Sequence, residues 1–200
     1  MPAASQEEKR RQILDAAVRA FARKGYHACR VGEIAEEAGV AYGLVYHYFS
    51  SKEEVLQTIF RDTWTLMLAR IAEMEADGES ASEQVRKVTA LLLRTWKRDP
   101  DLVRVLVREV TRSPEQLQQE IEEIGHAYEA LERIIRRGQE NGEFRSDLDP
   151  QLAATVFYGA LEEVLTGWVM GLLPDDEDEV DKAEQAVVSL LCDGLLAPRA

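Results

Sequence analysis

Residues 31–52 read VGEIAEEAGVAYGLVYHYFSSK, and the spacing of their apolar side chains decides the fold. Val31, Ile34, Ala35 and Ala38 recur at helical intervals, and Val40, Leu44, Val45 and Phe49 do so again after Gly39. Gly39 stands where the first helix must stop and reverse, a position that favours positive φ. The connection is too short for antiparallel helices, so the pair should cross steeply as a helix-turn-helix. In that arrangement the second helix lies in the major groove of DNA with its N-terminal residues against base edges. Those residues are Tyr42 and Gly43 and, one turn on, Tyr46 and His47. The blander reading is a small helical cluster in which Tyr46 and Phe49 are simply core. Against it stands the crowding of polar aromatics on a very short helix, which does not need so many for packing. Tyrosine and histidine tips can donate to phosphates and bases while their rings cover the sugars.

The stretch resembles the N-terminal domain of the TetR/AcrR family of transcriptional regulators. Its signature is an apolar-Ile-Ala segment leading to Ala-Gly-Val, then a short helix ending in aromatics, then Lys followed by an acid. Ile34-Ala35, Ala38-Gly39-Val40, Tyr46, Tyr48-Phe49 and Lys52-Glu53 fall into that pattern. The preceding segment fits as well: Ile13, Leu14, Ala17, Val18 and Phe21 form one apolar face, closed at Lys24-Gly25-Tyr26. The resemblance implies that Ala41, Tyr42, Gly43 and Tyr46 approach bases, and that His47, Tyr48 and Lys52 hold backbone phosphates. Gly32 occupies a position that can read bases, yet it offers no side chain. Arg30 is a departure, because the family usually has Ser or Thr there and an arginine cannot cap a helix. Its charge also opposes the helix dipole. It reads either as a phosphate or minor-groove contact or as a solvated surface residue. Ser51 with Glu54 reads as a capping box opening the next helix, with Lys52 facing outward.

The chain has 200 residues, 46% hydrophobic and 30% charged, the composition of an ordinary globular protein. No long uncharged apolar run and no signal-peptide pattern appear, so a cytoplasmic protein with no membrane association is expected. Cys29 and Cys192 are far apart and form no Cys-x-x-Cys, which points away from disulfides and zinc. The net charge of −13 opposes binding to a polyanion. Its distribution resolves the objection: residues 1–60 hold eight basic and eight acidic residues, and the remaining 140 carry the whole excess. DNA binding should therefore depend on dimeric geometry and on local cations such as Lys9, Arg10, Arg11, Arg30 and Lys52.

Beyond residue 51 the chain reads as helices. They run from about 52 to 76, 82 to 97, 100 onward, 115 to 140, 149 to 173, and from the acidic stretch 174–179 to about 196. Asp99-Pro100, Ser113-Pro114 and Asp149-Pro150 place proline at the first helical position. No alternating strand pattern is seen. The expected fold is all-α with about nine or ten helices: a DNA-binding domain at 1–51 and a ligand-binding and dimerisation domain at 52–200.

The segment from Asp149 is apolar nearly all round, with small residues Ala153, Ala160, Gly167 and Gly171 on one stripe. With Ile121, Ile124, Tyr128, Leu131 and Ile135 before it, it suggests a four-helix homodimer interface built from helices about 115–140 and 150–172. An effector pocket inside the bundle would be lined by Trp64, Trp96, Leu106, Tyr128, Phe157, Leu161 and Trp168. Arg104, Arg108 and Arg112 follow Arg94, Lys97 and Arg98 within nineteen positions of an acidic region. They read either as a solvated face paired with Glu109, Glu115 and Glu120, or as receivers of phosphates at the mouth of an apolar pocket. The second reading fits a long-chain acyl-CoA. The runs at 136–144 and 157–170 resemble the FadR-type members of the family, which implies control of fatty-acid degradation and release from DNA on binding acyl-CoA.

Other classes fit less well. An enzyme needs a converging nucleophile, base and orienter, and the only histidines are His27, His47 and His126. Glu162 and Glu163 are neighbours on a helix and cannot face one another across a substrate. The acids at 175–179 lack the spacing of a calcium loop. No catalytic residue, metal ligand or cofactor is expected. The remaining alternatives are a family member controlling an efflux pump in response to hydrophobic drugs, and an architectural DNA binder without a sensor. The expected partners are double-stranded operator DNA, a small-molecule effector and a second copy of the chain.

Overall fold

The computed structural model describes residues 5–109 and 116–196. Among them are nine α-helices and no strand: α1 (Gln6–Lys24), α2 (Val31–Ala38), α3 (Tyr42–Tyr48), α4 (Lys52–Ala76), α5 (Ala81–Arg98), α6 (Pro100–Glu109), α7 (Gln116–Glu140), α8 (Pro150–Val169) and α9 (Glu177–Leu195). None is long and apolar enough to cross a membrane. The Ser113-Pro114 start, Arg112, Glu115 and the side chains of Glu120, Ile121 and Ile124 lie outside the described residues.

Helix boundaries follow local chemistry. Ser5 caps α1, with Glu8 returning the bond, and Gly25 ends it at φ +81°. Gly39 ends α2 in the left-handed region at φ +63°, and its N–H bonds back to Ala35 and Glu36 carbonyls. Ser80, Asp149 and Asp176 accept from the third residues of α5, α8 and α9. The acidic stretch is thus partly helical, because Asp176 is a cap and Glu177 begins α9. The helix from Asp149 stops at Val169, short of the expected 173. Gly171 turns the chain at φ +67°, Leu172 N–H bonds back to the Gly167 carbonyl, and the Leu173 side chain packs where a Cβ on Gly167 would stand.

The chain forms two compact units, one of Met1–Thr63 with Asp101–Glu120, the other of Trp64–Pro100 with Ile121–Ala200. The division falls within α4 rather than at its start. In the first unit α1, α2 and α3 enclose Ile13, Phe21, Ile34, Val45 and Phe49, all at most 2% exposed. Gln12 Nε2 also donates to the Ala38 carbonyl at 2.7 Å, satisfying an acceptor that the end of α2 leaves open.

In the second unit α5 packs on α8 and α9, with Val85, Leu93 and Trp96 facing Phe157, Leu161 and Trp168 in the core. Two ion pairs hold the α5–α9 face: Arg94 grips Glu184 through two nitrogens at 2.7 and 2.9 Å, and Lys97 reaches Asp181 at 2.6 Å. The turn after α7 is built on Gly138, whose carbonyl accepts from Glu143 and Phe144 N–H groups. Glu143 then reaches the N-terminus of α5, accepting from Ala81 N–H at 2.8 Å and Ser82 N–H at 2.9 Å. Phe144 closes over Gly138, so a Cβ there would run into its ring and lie 2.8 Å from the Ala81 Cβ. Replacing Gly138 by Ala should therefore destabilise this unit by about 1–3 kcal/mol, the usual cost of overpacking. Urea unfolding followed by circular dichroism measures it, and a loss below about 0.5 kcal/mol, typical of surface changes, would mean that the turn has room to give.

Candidate DNA interface and effector core

The back of α3 is fixed by Val45, at 1% exposed, while Tyr42 and Tyr46 stand 56% and 44% exposed on its front. One turn apart, their rings meet edge to face at 5.2 Å and their hydroxyls lie 3.3 Å from one another. That contact, with some desolvation, holds the Tyr46 phenol above its ordinary pKa, so it stays an O–H donor. His47 is exposed and stacks edge-on against Tyr48, which is half-buried. Ala41 and Gly43 are exposed at the start of the helix. Exposed Gly32 faces the Tyr42 ring, which a Cβ would meet at 3.8 Å, an ordinary contact. Gly32, Tyr42 and Tyr46 come together with His27, Arg30 and Lys52 at a hollow of about 540 Å³ that Ala41, Gly43, His47 and Tyr48 do not line.

Arg30 sits at the N-cap of α2 without a side-chain cap bond, as its chemistry requires, and is exposed. Glu33 compensates by accepting the Arg30 backbone N–H at 2.8 Å. Lys24 also reaches Glu33, and these bonds keep its carboxyl below the usual range. Glu37 is likewise held low by Arg19 and Arg23, at 2.9 and 2.8 Å. Arg10 lies 3.4 Å from Asp62 and stacks over Phe49. Much of the basic charge of this unit is therefore already paired.

Lys52 departs from the expectation of an outward side chain. Its ammonium turns back to the segment between α1 and α2, donating to the Tyr26 carbonyl at 2.6 Å and the Cys29 carbonyl at 2.8 Å. It also lies over the Tyr26 ring, 4.3 Å from the centroid. Two backbone carbonyls and an aromatic face outcompete solvent for the cation. The expected capping box is half-made: Ser51 Oγ accepts from Glu54 N–H at 3.1 Å, but the Glu54 carboxylate returns to Ser50. Tyr26 is the partner that periodicity missed; its only signal is an aromatic directly after the stop glycine.

The expected effector residues divide between the units. Arg104, Leu106 and Arg108 belong to the first; Arg94, Trp96, Arg98, Tyr128, Phe157, Leu161 and Trp168 belong to the second. In the second, Trp96 and Trp168 stack at 6.1 Å, both 3% exposed, over buried Phe157 and Leu161. Tyr128 on α7 lies 4.7 Å from Tyr158 on α8, which lies 6.4 Å from Trp64 on α4. Burial raises the pKa of both phenols, and desolvation raises that of the Glu162 carboxyl one turn beyond Tyr158. The basic residues bind carboxylates other than those expected. Arg94 and Lys97 hold Glu184 and Asp181, and Arg104 holds Asp101 at 2.7 Å. The spacing of three that separates Arg94 from Lys97 recurs between Asp181 and Glu184, the signal that could have found these pairs. Arg98 is exposed, and Arg108 makes a long contact of 3.4 Å to the Ala22 carbonyl.

The apolar stripe of α7 is spent inside its own unit: Leu131 is 1% exposed and Ile135 fully buried. The side chains of Ile121 and Ile124, which open that stripe, lie outside the described residues. Open apolar surface lies on α8 and α9, where Leu152, Val156 and Leu190 are 62%, 57% and 77% exposed. Beside them runs a groove of about 270 Å³ floored by Phe157, Leu191 and Leu195. Among the described residues no cluster of His, Cys, Asp or Glu could hold a metal ion.

A short two-helix reading head joined to an all-helical body defines a one-component transcriptional regulator, and the chain belongs to the TetR family. Residues 13–59 match the pattern described as "Bacterial regulatory proteins, tetR family", and residues 60–194 that of "YsiA-like protein, C-terminal region". The fatty acid metabolism regulator protein of Bacillus subtilis is 33% identical over 185 residues, 92% of this chain and 94% of that one. The structure of FadR from B. subtilis in complex with stearoyl-CoA superposes with a TM-score of 0.82 at 31% identity, covering 92% of this chain and 98% of the other. That of the fatty acid degradation regulator FadR from Bacillus halodurans gives 0.85 at 31% identity, covering 96% and 98%. These relatives are regulators, not enzymes.

Replacing Lys52 by Met keeps the apolar stem but strands two carbonyls. Hydrogen bonds to charged groups contribute about 1.5–3 kcal/mol each, so stability should fall by about that much or more. Replacing exposed Arg30 by Ala should leave stability within about 0.5 kcal/mol. Equal melting of the two variants would contradict the role given to Lys52.

Proposed function

We propose that the protein is a cytoplasmic repressor that holds a near-palindromic operator as a homodimer and releases it when a long-chain acyl-CoA enters the second unit. The observation that carries this reading is the 33% identity to a fatty acid metabolism regulator over 92% of the chain, because it extends through the effector region as well as the head. Tyr42, Tyr46 and the backbone at Ala41 and Gly43 read base edges, His47, Tyr48 and Arg30 hold phosphates, and Lys52 supports the reading surface from behind. Gly32 leaves space rather than making a contact. The acyl chain lies among Trp96, Phe157, Leu161 and Trp168, and Arg98 faces the polar part of the ligand. α4 begins at Lys52 and runs unbroken to Ala76, so displacement of its far half by ligand changes the spacing of two heads.

The test is anisotropy of labelled operator titrated with protein, then with palmitoyl-CoA. Release by palmitoyl-CoA, and not by a hydrophobic drug panel, is expected; release by drugs alone would place the protein among efflux regulators and overturn the acyl-CoA reading. Tyr46→Ala should weaken operator binding by at least tenfold, since a good base contact contributes about 1–3 kcal/mol, without altering subunit assembly.

The dimer forms through α8 and α9, whose exposed leucines and valine would otherwise meet water. Glutamate at Val156 or Leu190 should convert the dimer to monomers in light scattering and abolish operator binding. A Leu190→Glu protein that remained dimeric would exclude this face.

A further inference from the structure

Trp64 is buried to 7% exposure on α4, yet its indole N–H has no hydrogen-bond partner among the described residues. A buried donor without an acceptor loses its water and regains nothing, so its retention needs a reason. Its surroundings supply one. Tyr158 from α8 stands 6.4 Å away ring to ring, and Tyr128 from α7 a further 4.7 Å, so three helices bring one indole and two phenol rings together. Burial keeps both phenols protonated and therefore able to donate. The other charge that acts on both is the carboxylate of Glu162, followed in sequence by Glu163. A site with three donors and one carboxylate nearby suits a neutral acceptor better than an anion.

We propose that the effector places an acyl carbonyl oxygen against the Trp64 indole N–H, with the Tyr128 and Tyr158 hydroxyls beside it, and that this carbonyl is a thioester rather than a free carboxylate. The assignment rests on the acyl-CoA reading above and deepens it. The apolar chain alone cannot fix how far a ligand enters; a single buried donor can, by setting the depth at which the carbonyl stops.

The experiment compares wild type with Trp64→Phe as full-length protein, measuring calorimetric affinity for palmitoyl-CoA and for palmitate, and ligand-free melting. Trp64→Phe should weaken palmitoyl-CoA binding about tenfold, the worth of one hydrogen bond of about 1.4 kcal/mol. Phenylalanine leaves part of the buried indole volume empty, so ligand-free melting should fall modestly, and the affinity loss should be larger for palmitoyl-CoA than for palmitate. Equal losses of affinity for the two ligands would make Trp64 a packing residue and overturn the proposal, as would unchanged affinity. Palmitate binding as tightly as palmitoyl-CoA, with the same dependence on Trp64, would overturn the thioester assignment. A second readout needs no change at Trp64: the infrared band of carbonyl-labelled palmitoyl-CoA should shift to lower frequency on binding wild type and return partway in Tyr158→Phe. Binding without any shift overturns this inference alone, and no binding of either ligand overturns it together with the proposed function.

Discussion

The ammonium of Lys52 ties together parts of the head that are far apart in sequence. It stands in the first turn of α4, reaches the carbonyls of Tyr26 and Cys29 between α1 and α2, and covers the ring of Tyr26. Tyr26 in turn packs edge-on against Phe21, a core residue of α1. The arrangement makes the start of α4 part of the same rigid body as α1 and α2. α3 is only seven residues long and has one fully buried side chain of its own, so its orientation depends on that body. A half-buried lysine held in this way is both a structural residue and an extension of α4 into the head.

Much of this was legible in the sequence. The stops at Gly25 and Gly39, the short α3 and the span of α4 all follow from periodicity and glycine placement, since each depends on residues within a few positions of one another. What periodicity could not show is where a long flexible side chain goes. Lys52 has three donors and four methylene groups, and nothing local distinguishes an ammonium facing DNA from one turned onto carbonyls two helices earlier. The ion pairs of α5 were harder to see for the same reason: their carboxylates lie some ninety residues on, in α9, and only a matching spacing of three hints at them.

The part of α9 in the open apolar face was hidden for a different reason. Amphipathicity states only that a face is covered, not by what. α9 begins in the acidic stretch. Its apolar residues Leu190, Leu191 and Leu195 come late, and only packing against α8 shows that Leu190 points away from its own core.

The self-pairing of charges in the head has a consequence for how such a protein would find its target. Affinity for arbitrary DNA grows with the number of phosphates neutralised, and here Arg19, Arg23 and Lys24 are engaged by Glu37 and Glu33 while Lys52 faces inward. With few cations left over and a chain of net charge −13, bulk chromosome is a poor trap. Most copies would spend their time in free solution, and a small number of molecules could keep a rare operator occupied.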